Sequence, residues 1–269
     1  MEKVYRWIAK HQVASRILNA IIWGCFGGYL ISLGMTRWVG LLLACLMVSV
    51  CSIYLANMDL LLQKKPLEHL KNQCDPYPFL EEMQTQQSYS GSDIAKQLRT
   101  INYAMALRCV GHYDQAYTLL RGINIDKNAG MLPSAKVTYY NNLMDLCELM
   151  GKYQEAVIWY EKTAQIFNDM RPGKQKEQLR RAIEVNRATY HFCNGEYELA
   201  LRCLGQDKPK NLSERIENAM MYGHTYLAMG ETERAKKPLQ FVAENGNKLY
   251  CATEARELLA KINMEENEQ

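Results

Sequence analysis

The sequence has little proline, no closely paired cysteines and no large excess of one charge. Only 7 of its 269 residues are proline and 48% are hydrophobic, so the chain is expected to fold and to be rich in helix. Its nine cysteines include no CxxC pair, which argues against a disulfide framework and favours a reducing compartment. The formal net charge of +3 is too small to provide a broad field for nucleic acid, so we predict no nucleic-acid partner.

Motifs that mark common enzymes are also missing. The sequence contains no glycine-rich phosphate loop, nucleophile elbow or HExxH helix. Its five histidines are dispersed, and the nearest Cys–His neighbours, Cys109 with His112 and His191 with Cys193, lack the paired ligands of structural zinc. Acidic residues are numerous but spread, so none is nominated as a general acid or base. We therefore predict a protein that is not an enzyme and holds no metal or cofactor.

Two long uncharged runs near the N-terminus are the first positive feature. Residues 17–36 and 38–58 contain twenty and twenty-one uncharged residues, separated only by Arg37. Twenty helical residues span about 30 Å, the thickness of the hydrocarbon core. The sequence predicts two transmembrane helices within residues 17–62, joined by a tight hairpin. A cleaved signal peptide is the alternative for the first run, but that run is long for one and a second span follows.

Basic residues around the two runs predict their orientation. Four lie in the N-terminal segment 1–16, and Lys64 and Lys65 closely follow the second run, whereas only Arg37 lies in the hairpin. Lys and Arg near helix ends are retained on the cytoplasmic side. We therefore expect an integral protein of the plasma membrane, with both termini and everything after residue 65 in the cytoplasm.

Small residues on the first run indicate where another helix packs. Ala20, Gly24 and Gly28 lie four residues apart and share one helix face, which allows another backbone to approach closely. We predict a helix–helix contact on this face. Its partner is either a second copy of the chain, which would give oligomers, or the second run through Gly40 and Ala44. Ordinary use of glycine in membrane helices is the alternative interpretation.

Beyond a juxtamembrane linker at residues 63–93, one short phrase recurs four times. It reads GHYDQA at 111–116, GKYQEA at 151–156, GEYELA at 195–200 and GETERA at 230–235. The glycines lie 40, 44 and 35 residues apart, with helix-forming residues on both sides. Self-similarity at this spacing is typical of stacked helix pairs.

Each residue of the phrase has a physical role. A glycine just past a helix adopts the left-handed conformation that ends the helix, the tyrosine two residues later packs back on that helix, and the alanine lets two helices approach closely. We predict an all-α repeat domain over residues 94–269, with about four helix pairs and a capping helix from about residue 248 to 262. The turn positions are Gly111, Tyr113, Ala116, Gly151, Tyr153, Ala156, Gly195, Tyr197, Ala200, Gly230 and Ala235.

The repeated phrase resembles the tetratricopeptide repeat (TPR) family, whose helix pairs share Gly-x-Tyr-x-x-Ala and an asparagine nine residues before that glycine. Asn102, Asn142 and Asn186 match the asparagine, whereas Met221 takes its place in the fourth copy. The family's tryptophan and leucine early in the first helix are mostly absent, Thr232 replaces the tyrosine, and the first two spacings exceed the 34-residue period. The resemblance implies an α-solenoid whose first helices line a concave groove.

The resemblance also implies a site for a protein or peptide. In the family the matching asparagine hydrogen-bonds the backbone of an extended peptide, while an internal role in the array is the alternative. Acidic residues outnumber basic ones in this groove, which favours an internal peptide or a basic or amphipathic helix over a C-terminal carboxylate. The groove residues expected on this basis are Asn102, Met105, Arg108, Asn141, Asn142, Asp145, Glu148, Asn186, Thr189 and Phe192.

We therefore predict a membrane-anchored adaptor, or scaffold, that binds a partner protein through the groove. Two other functions stay open. One is a structural or assembly subunit of a membrane complex for transport, secretion or envelope assembly, which acts mainly through its transmembrane helices. The other is an anchored regulator that senses a small ligand in the groove.

Overall fold

A computed structural model describes residues 2–127 and 130–267, and within these ranges the chain is helical and contains no strand. The prediction of an all-α protein is confirmed. In chain order the helices are α1 (Glu2–Lys10), α2 (Gln12–Ser32), α3 (Arg37–Ala56), α4 (Met58–Gln73), α5 (Tyr77–Gln86), α6 (Asp93–Cys109), α7 (Tyr113–Arg121), α8 (Pro133–Leu149), α9 (Tyr153–Asp169), α10 (Lys174–Cys193), α11 (Tyr197–Gln206), α12 (Leu212–Ala228), α13 (Thr232–Asn245) and α14 (Tyr250–Asn267).

The two apolar runs form the helix pair α2 and α3. By length and composition, Gln12–Ser32 and the nearly continuous helical run Arg37–Gln73 are each able to cross a membrane. Many of their large apolar side chains, such as Ile21, Trp38 and Leu42, are more than half exposed. A helix pair with an apolar outer surface suits a hydrocarbon environment better than water.

The contact between α2 and α3 uses a different face from the one predicted. A Cβ atom built at Gly27 would come within 2.8 Å of the Ala44 Cβ, so the glycine permits the close approach of the two helices. The predicted face of Ala20, Gly24 and Gly28 is exposed, and a Cβ at either glycine would meet no atom within 4 Å. That face is therefore not the contact within the hairpin, and a helix packed on it from another molecule stays a prediction.

The juxtamembrane segment 63–93 is largely helical. It holds most of α4 and all of α5, and Phe79 and Met83 on α5 are among the most deeply buried side chains. Pro76 and Pro78 stand at the start of α5. The first N–H groups of a helix have no partner within it, so proline, which lacks this group, is well placed there.

Four helix pairs follow, and the same turn joins the two helices of each pair. The first helix always ends two residues before the repeated glycine, and the second begins two residues after it. All four glycines have a φ between 70° and 85°, which an L side chain adopts only with strain. In the first turn the N–H of His112 donates to the Leu107 carbonyl at 3.0 Å, which satisfies an orphan carbonyl at the helix end. The alanines of the phrase are fully buried: Ala116, Ala156, Ala200 and Ala235.

The tyrosines of the phrase contact different rings from one pair to the next. The Tyr197 ring lies against Phe192, on the first helix of its own pair, as predicted. Tyr153 instead packs edge-on against Phe192 of the following pair, with 5.7 Å between the ring centroids. Tyr113 packs edge-on against Tyr250, at the start of α14. The tyrosines therefore join pairs to their neighbours and to the end of the chain.

The last helices return to the first ones. Lys248 Nζ lies 2.7 Å from Asp75 Oδ2, in the turn between α4 and α5. The capping helix predicted for residues 248–262 is observed as α14, which packs mainly against α13 and reaches the first turn through Tyr250. We call the shared apolar core the closing cluster; its buried members include Leu70, Phe79, Met83, Ala106, Ile216, Leu239 and Ile262.

Candidate functional site

A cavity of about 330 Å³ lies between the first helices of the four pairs, α6, α8, α10 and α12. Its volume is at the lower end of the range for ligand pockets, which suits one or two side chains or a small molecule. Because these helices are also the predicted groove helices, half of the predicted residues line its wall. Those residues are Arg108, Asp145, Glu148, Asn186 and Thr189.

The other predicted groove residues are not brought to this cavity, namely Asn102, Met105, Asn141, Asn142 and Phe192. Asn102 faces α4, where its amide donates to Gln63 at 3.4 Å, because α4 and α5 pack against α6. Phe192 is buried between the rings of Tyr153 and Tyr197. Asn142 is buried as well, away from the cavity wall.

Arg108 joins three helices at one edge of the cavity. Its Nη1 lies 3.2 Å from Asp145 Oδ2 on α8, and its Nη2 lies 3.1 Å from Glu217 Oε1 on α12. Burial raises the pKa of the Asp145 carboxyl to about 6, although the Arg108 charge lowers it. Arg108 and Asp145, two of the predicted groove residues, therefore form an ion pair with each other in the folded protein.

Arg181 makes a similar bridge at another edge. Its Nη2 lies 3.0 Å from Asp207 Oδ2, just after α11, and its Nη1 lies 2.6 Å from Glu214 Oε2 on α12. The Asn218 amide also donates to Asp207 at 3.2 Å. This network fixes the start of α12 against α10.

His224 of α12 lies between two carboxylates. Its Nε2 is 3.2 Å from Glu254 Oε1 on α14, and its Nδ1 is 3.9 Å from Glu148 Oε1 on α8. Burial lowers the pKa of His224, but Glu148 and Glu254 raise it more, to about 10. The imidazole is therefore protonated at neutral pH and acts as a third cation beside the cavity.

Acidic groups exceed basic ones around the cavity. Six carboxylates surround Arg108, Arg181 and protonated His224, which leaves an excess of three negative charges. Asn186 on the wall is only 8% exposed, and its buried Nδ2 has no hydrogen-bond partner within the described part of the chain, a costly state that a ligand carbonyl would relieve. The site can therefore attract a cation and donate to a neutral acceptor.

The cavity shows no sign of nucleophilic or metal chemistry in the residues described. No three His, Cys, Asp or Glu side chains among them are arranged to hold a metal ion. Cys109 and Cys251 line the wall as free thiols, and burial raises the pKa of Cys109 to about 11. A thiol held neutral in this way is a poor nucleophile at physiological pH.

Sequence reasoning missed six charged residues of the site: Arg181, Asp207, Glu214, Glu217, His224 and Glu254. One signal was available for His224. It lies six residues before Gly230, the same register as Asp145 before Gly151 and Thr189 before Gly195. The fourth copy lacks the family's asparagine, so the groove positions assigned from that asparagine did not include His224.

Comparison of the chain with protein-family models, with curated proteins and with solved structures gives no match. The function is therefore argued from the geometry of the cavity and the apolar helices, and membership of the TPR family stays a prediction.

The protonation of His224 predicts how stability depends on pH. The pKa in the folded protein, about 10, exceeds the ordinary 6.5, so the stabilisation is complete below about pH 6.5 and is lost as the pH rises through about 10. Between about pH 7 and pH 10 we expect this group to account for a fall in the free energy of unfolding on the order of 3 kcal/mol. Urea unfolding of the detergent-solubilised chain, followed by circular dichroism, measures it.

The His224→Gln variant is the control for this prediction, because other groups also titrate near pH 10. Its unfolding free energy should fall less over the same interval. Parallel curves for the variant and the wild type would show that His224 contributes no pH dependence.

Proposed function

We propose that this chain is a membrane-anchored adaptor with a TPR-like architecture, whose cavity binds positively charged side chains of a partner protein. The observation that carries the proposal is the excess of three negative charges around a cavity of about 330 Å³. A lysine or arginine side chain entering there meets a complementary field. The free Asn186 amide would then donate to a backbone carbonyl of the same segment.

The anchor in this proposal is the hairpin of α2 and α3. Its exposed apolar side chains and the two membrane-length helices support insertion. The basic residues flanking it favour a cytoplasmic position for both termini and for the helix pairs, in the plasma membrane. The binding cavity would then lie close to the bilayer surface, where it would recruit a cytoplasmic partner to the membrane.

The TPR-like architecture is supported by the four equal turns with positive φ and by the buried alanines at matching positions. The returning end of the chain distinguishes it from an open array. Because α12 and α14 face α6 and α8 across the cavity, the groove implied by the family becomes a narrower site. This narrowing favours single side chains of the partner over a whole helix.

The proposal is tested with the full chain in lipid nanodiscs and fluorescent twelve-residue peptides. The peptides share one neutral Ala–Gly–Ser scaffold that carries two lysines, two acetyl-lysines or two glutamates. We expect the lysine peptide to bind most tightly and its affinity to fall with added salt. Equal binding of the lysine and glutamate peptides would contradict the proposal.

A variant at the edge of the cavity tests whether its negative charge causes the binding. The Glu217 side chain is 51% exposed and Arg108 keeps Asp145 as a partner, so Glu217→Gln should fold normally. We expect it to weaken binding of the lysine peptide by about 3- to 10-fold, since it removes one negative charge. Glu177→Gln removes the same charge from an exposed pair outside this cavity and should leave the affinity unchanged.

A subunit of a larger membrane complex is the second candidate. It is favoured by the open face of Ala20, Gly24 and Gly28, which no described helix of this chain covers. In that case substitutions on this face would disturb assembly, whereas Glu217→Gln would not.

A further inference from the structure

A second cavity, of about 230 Å³, lies at the base of the hairpin between α2, α4 and α6. Arg16 of α2, Asp59 of α4 and Arg99 of α6 line its wall, together with Gly91 in the turn before α6. This cavity lies beside the start of α2 and the start of α4, where the membrane-length helices meet the rest of the chain. It is separate from the acidic cavity, whose wall contains none of these residues.

Arg99 is buried with part of its hydrogen-bonding capacity unused. Its side chain is 3% exposed, its Nε donates to Asp59 Oδ2 at 2.8 Å, and its Nη1 donates to the carbonyls of Tyr89 and Ser90. Its Nη2 is buried and has no partner among the described residues. The other oxygen of Asp59 accepts from Gln12 at 3.3 Å. A buried cationic donor without an acceptor is costly, so an anionic acceptor at this point would stabilise the protein.

Gly91 lies directly against this guanidinium group. A Cβ built there would lie 3.5 Å from Arg99 Nη2, 3.4 Å from Nη1 and 3.2 Å from the Ala95 Cβ. The backbone of Gly91 is not in the left-handed region, so its conformation does not require glycine. A larger residue here would therefore crowd the guanidinium group and Ala95 and take up the side of the cavity next to Nη2.

The rim of the cavity combines one positive charge in excess with apolar surface. Arg16 and Arg99 face the single carboxylate of Asp59. Val13 and Leu60 on the same wall are more than half exposed, and they lie at the base of the apolar hairpin. A ligand that matches this surface carries one negative charge next to an apolar chain.

We propose that this cavity binds the phosphate of an anionic phospholipid from the adjoining bilayer leaflet, an inference that rests on the proposed membrane anchor. Arg99 Nη2 donates to a phosphate oxygen, Arg16 adds the second cation, and an acyl chain lies along Val13 and Leu60. The bound lipid would hold the base of the hairpin against α6. It would thus fix the orientation of the helix pairs relative to the membrane.

The test uses the full chain in a detergent free of phospholipid, with thermal unfolding as the readout. Dihexanoyl phosphatidylglycerol should raise the unfolding midpoint by about 3–6 °C, since it binds the folded state. Dihexanoyl phosphatidylcholine should raise it less, because its choline cation would face Arg16. Glycerol phosphate, which has the anion but no acyl chain, should have little effect. An equal shift from glycerol phosphate would assign the site to a soluble anion and overturn the lipid proposal.

Matched variants separate this site from general attraction to anionic lipid. Arg16→Glu and Gly91→Leu should each abolish the shift, the first by charge and the second by filling the space beside Nη2. Lys64→Glu changes the charge by the same amount at an exposed position outside the cavity and should keep the shift. Equal shifts in all of these proteins and the wild type would overturn the proposal.

The lipid experiment is independent of the adaptor experiment. Gly91→Leu should retain its affinity for the lysine peptide, because it does not touch the acidic cavity. Loss of the lipid-induced shift in Gly91→Leu together with normal peptide binding supports the lipid site. Failure of peptide binding in the wild type, with the lipid shift intact, would reject only the adaptor function.

Discussion

Replacing Arg108 with methionine should lower the free energy of unfolding by about 2–4 kcal/mol. Breaking a fully buried ion pair by removing one partner costs about 3–5 kcal/mol, because the remaining charge is left without compensation. The Asp145 side chain keeps 25% exposure, so we expect somewhat less than this range. Glu217 on α12 also loses its partner, and the link between α6, α8 and α12 is lost with it. Urea unfolding of the detergent-solubilised chain measures the change.

An exposed arginine provides the control for this substitution. Arg180 pairs with Glu177 at 3.0 Å, but its side chain is 53% exposed, so Arg180→Met should cost less than about 1 kcal/mol. Adding Asp145→Asn to Arg108→Met should recover part of the lost stability, since it removes the uncompensated charge. An Arg108→Met variant as stable as Arg180→Met would show that the three-helix bridge contributes nothing.

Exchanging Gly111 for alanine should destabilise the domain more than the same exchange at Gly151. Both glycines have positive φ, so alanine at either site costs about 1 kcal/mol in backbone strain. At Gly151 a Cβ meets open space, whereas at Gly111 it would meet the ring of Tyr250 at less than van der Waals distance. The ring must then leave its place against Tyr113. We therefore expect about 2–3 kcal/mol for Gly111→Ala, against about 1 kcal/mol for Gly151→Ala.

The Tyr250→Ala background isolates the contribution of α14 to this difference. With the ring removed, alanine at Gly111 and at Gly151 should cost the same, because only the strained φ remains. The thermal midpoints of the six proteins, with and without each substitution, provide the comparison. If the two glycines were already equivalent in the wild type, Tyr250 would not hold α14 against the first turn.

Local features of the fold were predictable from the sequence because they depend on neighbouring residues. Glycine adopts a positive φ just after a helix more easily than any other residue. The glycine in each of the four copies of the phrase therefore located a turn correctly. The two apolar runs identified membrane-length helices for the same reason, since length and composition suffice. Helix α5 was not predicted, because proline both ends and begins helices, and the residues on its C-terminal side decide which role it takes.

The site was less predictable because its charges lie on helices that are distant in sequence. Arg108 and Glu217 are 109 residues apart, and each is an ordinary charged residue on its own helix. Only the return of the last helices to the first ones brings them together. The position of α12 also places His224 beside Glu148 of α8, and the expected open groove becomes a cavity. The hairpin packs on the helix face of Gly27, against Gly40 and Ala44 of α3. It does not pack on the face of Gly24 and Gly28.

The pairing of Lys248 with Asp75 also constrains how the chain reaches its folded state, since 173 residues separate the two partners. Neighbouring helix pairs can form one after another during synthesis, because their contacts are local. The closing cluster cannot form in this way, since about half of its members lie on the last three helices. Until those helices are synthesised, the members on α4 and α5 lack part of their apolar core. Completion of the domain is therefore a late, cooperative step of biogenesis, which comes after synthesis of the membrane hairpin by some 190 residues.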